Sequence, residues 1–285
     1  ALAGTVGTNM DGMANQLRTF YQADMPEQAV HSLAGGAAVV FSVRGPGKEA
    51  VNEDAAALIP VGDRSAVLVV ADGLGGHTAG EEASRLAVEK IHQAVSAVGA
   101  PNQGSGLRTA ILNGIEDANR AVLALSCDAA TTVAVAEIQE RSVRSYHVGD
   151  SLVLLVGNRG RIKLQTLSHS PVGYAVESGI LDEEAAMHHN DRHLVSNFVG
   201  DPEMRIEIGP VIEMSPRDTL LLASDGLVDN LHVNEIVDRI RKGKLAKAAK
   251  EMSKQALKRM QSPGNGHPSK PDDLTFIAYR SARYA

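Results

Sequence analysis

Between Thr131 and Leu167 lie four short apolar segments: Thr131 to Glu137, Ser142 to Val148, Leu152 to Val156 and Ile162 to Leu167. They are joined only by "QER", "GDS" and "GNRG". Connections this short leave no room for a crossover helix, so the strands are expected to pair as antiparallel hairpins. Helical pairs lie on either side of this block. Ala83, Leu86, Ala87, Ile91, Ala94, Val95 and Val98 share one face of a helix predicted over Ala79 to Val98, and Leu107, Ile111, Ile115, Ala118, Val122 and Leu125 mark a second. Further on, "HVNEIVDRIRKG" and "KLAKAAKEMSKQALKRM" form another pair, and "DLTFIAYR" reads as a closing strand. With strands at Gly35 to Val43, Ser65 to Ala71 and Thr219 to Ser224, the order is strands, two helices, strands, two helices, strand. That order predicts a layered α+β fold rather than an alternating parallel one. Residues 1–31 read as an N-terminal arm with a short helix around Met13 to Tyr21, and residues 32–283 as one domain.

Composition removes several classes of function. A formal charge of -6 gives no reason to expect nucleic acid or an anionic membrane surface as a partner. No apolar run approaches the ~20 residues a bilayer span needs, and no basic stretch followed by an apolar one marks a leader. Cys127 is the single cysteine. It cannot form an intrachain disulfide, fits a reducing compartment, and reads as a small buried hydrophobe. The expectation is a cytoplasmic, monomeric globular protein.

Two aliphatic strands end alike. "VLVVADGLGGH" runs into Asp72-Gly73 and "LLLASDGL" into Asp225-Gly226. Asp-Gly is common in turns for its own sake, but here it recurs at the tips of strands built for burial. Glu53 in "VNEDA", Asp150 in "HVGDS" and Asp272 in "KPDDLT" also flank apolar strands. If the five carboxylates converge, their repulsion requires cations from outside. An all-oxygen site selects hard ions such as Mg²⁺ or Mn²⁺ over zinc. Two such ions form a clamp for a phosphoryl group.

Taken in order, "NED", "VVADGLGGHTAGEEAS", "YHVGDS", "LLLASDGL" and "PDDLT" resemble the signature motifs of the metal-dependent protein phosphatases, the type 2C serine/threonine family, in their bacterial form. The resemblance runs from about Gly35 to Arg280. It implies a four-layer α-β-β-α sandwich of two antiparallel sheets flanked by helix pairs. It also implies hydrolysis of phosphoserine and phosphothreonine in proteins by a metal-activated water, and an opposing serine/threonine kinase. By the same resemblance Asp72 bridges two Mn²⁺ or Mg²⁺ ions and is the central catalytic residue. Gly73, through its carbonyl, and Glu53 serve one ion; Asp225 and Asp272 serve the other. Asp150, with Asp225, matches the ligands of a third, weaker ion.

The pattern departs from the family at several places. Glu49 stands where the family commonly has an arginine that grips substrate phosphate, which leaves Lys48 or Arg44 to substitute. Asp273 stands where asparagine is usual, Ser168 where aspartate is common, and Leu74 where eukaryotic relatives carry histidine. His77 is expected to support the site rather than act in it. The run from His188 to His193 is expected in a mobile insert facing substrate rather than in a metal site. Glu49 also sustains an alternative reading, a weak or inactive family member that binds phosphoproteins as a scaffold. A nucleotide-binding reading of the glycines at 73–80 is disfavoured, because no "GK[ST]" is present and the aspartate before Gly73 would repel phosphate unless a metal intervened.

Overall fold

The computed structural model describes residues 15–74, 79–98, 104–125, 127–262 and 266–282. The first sheet contains, in spatial order, Arg18–Tyr21, Ala55–Pro60, Ser65–Ala71, Val133–Gln139, Ser142–Val148 and Glu207–Ile208, with Ile212–Glu213 also pairing to Ser142–Val148. The second runs Ile162–Gln165, Leu152–Val156, Thr219–Ala223, Leu274–Ser281, Gly36–Val43 and Ala29–Leu33. Pairing within both is antiparallel.

Three apolar layers hold the sheets and helices together. Helices Ala79–Ser96 and Gly104–Leu123 cover the outer face of the first sheet. Helices Val233–Ile240 and Leu245–Gln261 cover the second, and the inner faces of the two sheets meet in a third layer. This is the expected α-β-β-α sandwich. It also explains the unbroken apolar runs, since a strand between two packed layers has no wet face. Along Ser65–Ala71, Val67, Val69 and Ala71 face the helices while Ala66, Leu68 and Val70 face the other sheet. In Thr219–Ala223, Leu220 and Leu222 point inward, and Leu221 and Ala223 point to the helices. Each buried Val or Leu contributes about 1.5–3 kcal/mol, so both strands are firmly anchored where they release Asp72 and Asp225.

Several expectations are corrected. "GDS" is not a hairpin turn: Ser142–Val148 belongs to the first sheet and Leu152–Val156 to the second. Gly149, Asp150 and Ser151 carry the chain between sheets, starting from Gly149 at φ +106°. The chain bends at Gly149 and Asp150 as it passes from one packed sheet to the other. The other two short connections, "QER" and "GNRG", do close hairpins.

Nor is the N-terminal segment a separate arm where it is described. Arg18–Tyr21 is a strand paired to Ala55–Leu58 rather than helical. Phe20 packs toward the inter-sheet core and Tyr21 toward the helices, an alternation only a strand allows. The boundary between residues 31 and 32 falls inside Ala29–Leu33, which pairs with Gly36–Val43.

The strand expected from Thr131 begins at Val133, because Ala130–Thr131 pairs instead with Gly73–Leu74. Ala55–Pro60 went unread because alanine and proline are poor strand formers; its partners on both sides impose the conformation. Cys127 is exposed rather than buried.

Candidate metal centre

Asp72 leaves its strand into a fixed backbone. Its carbonyl accepts from Thr132 N at 2.8 Å and from Thr131 Oγ1 at 2.8 Å, and its N–H donates to Thr132 Oγ1 at 3.2 Å. Thr132 Oγ1 also bonds Ser151 Oγ at 2.6 Å. One threonine thus joins the turn of Asp72 to the inter-sheet crossing that carries Asp150. The crossing comes so close that a Cβ at Gly149 would stand 2.7 Å from that of Thr132.

Glu53 meets Gly73 and Gly80 in equally tight quarters. A Cβ at Gly80 would lie 2.8 Å from Glu53 Oε1 and 3.0 Å from the Gly73 carbonyl oxygen. Glu53 Oε1 is buried without a hydrogen-bond partner. Two hard oxygen donors therefore face a space that glycine alone keeps open. On the second sheet, Ser224 and Thr275 lock the turn of Asp225, with Ser224 N donating to Thr275 O at 2.9 Å and Thr275 N to Ser224 Oγ at 3.0 Å. A Cβ at Gly226 would collide with the Asp273 carbonyl at 1.9 Å, so the Asp225 and Asp272 turns are in direct contact.

The structure brings together Asp72, Asp150, Asp225 and Asp272, as their mutual electrostatics show. Burial, followed by Asp225, Asp54, Asp272 and Asp150, holds the Asp72 carboxyl well above the ordinary range. Burial and Asp225 push Asp150 up to about 7 and Asp272 up to about 6, and burial also raises Asp225. Carboxylates crowded this closely are stabilised by divalent cations, and every donor in the set is a hard oxygen. Together with the unpartnered oxygen of Glu53, the residues present fit hard divalent ions.

Three members of this constellation, Asp54, Asp229 and Lys270, escaped the sequence reading, and Asp273 was legible only as a departure from the family pattern. Asp54, next to Glu53 in "NED", is fully buried, receives Ser224 Oγ at 2.8 Å on Oδ2, and leaves Oδ1 unpartnered. The signal was present, since neighbouring residues entering a strand face opposite sides. Asp273 accepts from Gly45 N at 2.8 Å, Glu53 N at 2.7 Å and Lys48 Nζ at 2.6 Å. Lys270 Nζ pairs with Asp225, with Asp229 at 3.0 Å and with Asp272 at 3.2 Å. For Lys270 and Asp229 only the fold supplies the proximity.

The two cations expected to grip phosphate differ. Lys48 Nζ is held between Glu53 Oε2 and Asp273 Oδ2, each at 2.6 Å, and is committed to the carboxylates. Arg44 is exposed, with Asp24 Oδ2 at 3.8 Å and the Glu49 carbonyl at 3.4 Å. His77 lies outside the described residues. The insert expected from Gly179 to Arg192 forms helix Glu183–Met187 and runs into a 3-10 turn Asn190–His193, following a separate helix Pro171–Glu177. Among the described residues its histidines gather no ligand cluster.

Elsewhere His147, His169 and Glu207 place ligand-type atoms within 4.8 Å of one another. Their protons are already assigned by hydrogen bonds. Gly149 N–H donates to His169 Nδ1 at 3.1 Å, so Nε2 carries the proton facing Glu207 Oε2 at 3.1 Å. His147 Nε2 donates to the Leu167 carbonyl at 2.8 Å. With His169 N also donating to Gly149 O at 3.0 Å, the group is a clasp on the Asp150 crossing.

Comparison with known proteins decides the family. The family model described as Protein phosphatase 2C matches residues 47–261, most of the chain. The chain belongs to the protein phosphatase 2C family. The serine/threonine phosphatase stp of Listeria welshimeri is 30% identical over 194 residues, covering 66% of this chain and 76% of that protein. Among solved structures, the serine/threonine phosphatase Stp1 from Staphylococcus aureus superposes with a TM-score of 0.74 at 27% identity, covering 85% of this chain and 94% of that one. The catalytic domain of the serine/threonine phosphatase PstP, solved with two manganese ions, superposes at 0.67 with 25% identity, covering 86% and 98%. In this 2C-family chain, Asp272 and Asp273 lie beyond the matched stretch, and the fold brings them to the others.

Proposed function

We propose that this chain hydrolyses phosphoserine and phosphothreonine in proteins, with two Mn²⁺ or Mg²⁺ ions held by Glu53, Asp72, the Gly73 carbonyl, Asp225 and Asp272. The observation that carries the reading is the convergence of Asp72, Asp150, Asp225 and Asp272, each raised by burial and by its neighbours. When bound, such ions supply Lewis acidity toward a phosphoryl oxygen and acidify water. The protein's own part is to hold hard ligands without reorganisation. Thr131 and Thr132 fix Asp72, Ser224 and Thr275 fix Asp225, and Lys48 with Asp273 fixes Glu53. Beside these ligands, Leu152, Leu167, Val172 and Val176 line a cavity of about 660 Å³ that reaches Asp150 and Asp225, room for peptide next to a phosphorylated residue.

The test is phosphate release from a phosphothreonine peptide by metal-stripped protein titrated with Mn²⁺, with Asp72→Asn in parallel. Release that requires Mn²⁺ and disappears in the variant is expected. Protein that binds Mn²⁺ yet releases no phosphate would favour the scaffold reading, to which Glu49 points.

A further inference from the structure

The Lys270 ammonium is set into the carboxylate cluster by its backbone as well as its charge. Lys270 N donates to Asn230 Oδ1 at 2.9 Å, and Asn230 Nδ2 donates to Lys270 O at 2.8 Å. Asn230 is fully buried and anchored in turn, since its Nδ2 reaches Gly226 O at 2.9 Å and its carbonyl receives Arg259 Nη1 at 2.7 Å. The preceding Ser269 donates to Arg259 O at 2.8 Å and accepts Arg192 Nη2 at 3.1 Å. A chain gripped at Ser269 and at both backbone polar groups of Lys270 aims the lysine side chain at one place. There Nζ meets the Oδ2 atoms of Asp225, Asp229 and Asp272, and the lysine is largely buried among them.

The partition of oxygens is informative. Lys270 takes Oδ2 of Asp225 and Oδ2 of Asp272, leaving Oδ1 of Asp225 outside the lysine pair. Asp272 Oδ1 already receives Asp273 N at 2.9 Å. Asp229 Oδ2 stands 3.0 Å from the ammonium as an ion pair but has no hydrogen-bond partner, and Asp229 adjoins Asp225 and Asp150 electrostatically. A fixed monovalent cation thus stands where Asp225 and Asp229 could together recruit a divalent ion.

We propose that Lys270 is a built-in cation of the metal centre: its ammonium occupies the Asp225–Asp229 end of the cluster, confines divalent ions to the Asp72 end, and so limits the centre to two. The inference rests on the metal-centre reading above and goes beyond it in assigning a stoichiometry and the residue that sets it.

The experiment counts Mn²⁺ bound to the metal-stripped full chain by calorimetry and by electron paramagnetic resonance, in wild type, Lys270→Arg, Lys270→Met and Lys270→Met/Asp229→Asn. Wild type and Lys270→Arg are expected to bind two ions. Lys270→Met is expected to bind one more, and the double variant to lose that extra ion. A third ion in wild type, bound within tenfold of the affinity of the others, overturns the proposal and needs no variant to fold. Equal stoichiometry in wild type and Lys270→Met, with affinities within threefold, overturns it as well. Wild type that binds no Mn²⁺ would instead sink the metal-centre reading, a distinguishable result.

Discussion

Lys48 Nζ and Asp273 Oδ2 stand 2.6 Å apart across 225 residues of sequence, and the same ammonium holds Glu53 Oε2 at 2.6 Å. The pair closes the edge between the sheets and orients a candidate metal ligand. It also links two departures from the family pattern, since a lysine bound here is unavailable to phosphate and an aspartate at 273 is tolerable only beside a cation.

Lys48→Met should therefore leave a buried carboxylate uncompensated, at about 3–5 kcal/mol. Adding Asp273→Asn should recover most of that loss. Urea unfolding of the singles and the double forms the cycle. Additive effects would show that the pair does not act as a unit.

The raised carboxyls set a pH dependence. An unfolded aspartate titrates at about 3.9, whereas burial and neighbouring carboxylates push folded Asp272 up to about 6 and Asp150 up to about 7. Between these limits the native state holds more protons than the unfolded chain, so stability falls as pH rises. Metal-stripped protein should melt lower at pH 8 than at pH 5. Mn²⁺ should narrow the difference, because metal binding strengthens as its ligands lose protons. A melting temperature of the stripped protein that climbs over this range would contradict the crowding described above.

Gly80→Ala separates helix propensity from the metal cradle. Alanine is favoured over glycine by about 1 kcal/mol in a helix interior and by less in the first turn, where Gly80 lies, yet this methyl would meet Glu53 Oε1 and the Gly73 carbonyl. Helix content by circular dichroism should stay unchanged while Mn²⁺ affinity drops tenfold or more. Unchanged affinity would remove Glu53 and Gly73 from the ligand set.

Glu49 is exposed and lies near Arg44, whose guanidinium approaches the Glu49 carbonyl. Glu49→Arg should lower KM for a phosphothreonine peptide by roughly tenfold, the lower end of what one charge-assisted hydrogen bond of about 1.5–3 kcal/mol supplies. kcat should change little. A flat KM would remove position 49 from phosphate binding.

Much of this molecule was legible in its residues because local pattern and global packing agree. The runs ending at Ala71 and Ala223 are apolar without interruption because each strand lies between two cores, and this same burial makes the carboxylates that follow them conspicuous. What stayed hidden depends on proximity that spacing does not encode. Lys270 reaches Asp229 because Asn230 grips its backbone, and nothing in "SKPDD" announces that. "GDS" misled because a three-residue hairpin and a three-residue passage between sheets have the same length, and only the partner strands tell them apart. Arg18–Tyr21 misled because an edge strand of four residues carries too little alternation to outweigh a helical window.

The passage at Gly149–Ser151 has a mechanical side. Glu53 and Asp72 ride on one sheet, Asp225 and Asp272 on the other, and Asp150 on the thread between them. Any slip of one sheet across the other would change the spacing between these groups at once, and the Thr132–Ser151 bond would be the first tether drawn taut. The packing of the interior seam therefore sets the relative position of the two groups of ligands. A substitution deep in that seam, at Leu68 or Leu222 for instance, would be felt at the mouth of the cleft as a loss of alignment.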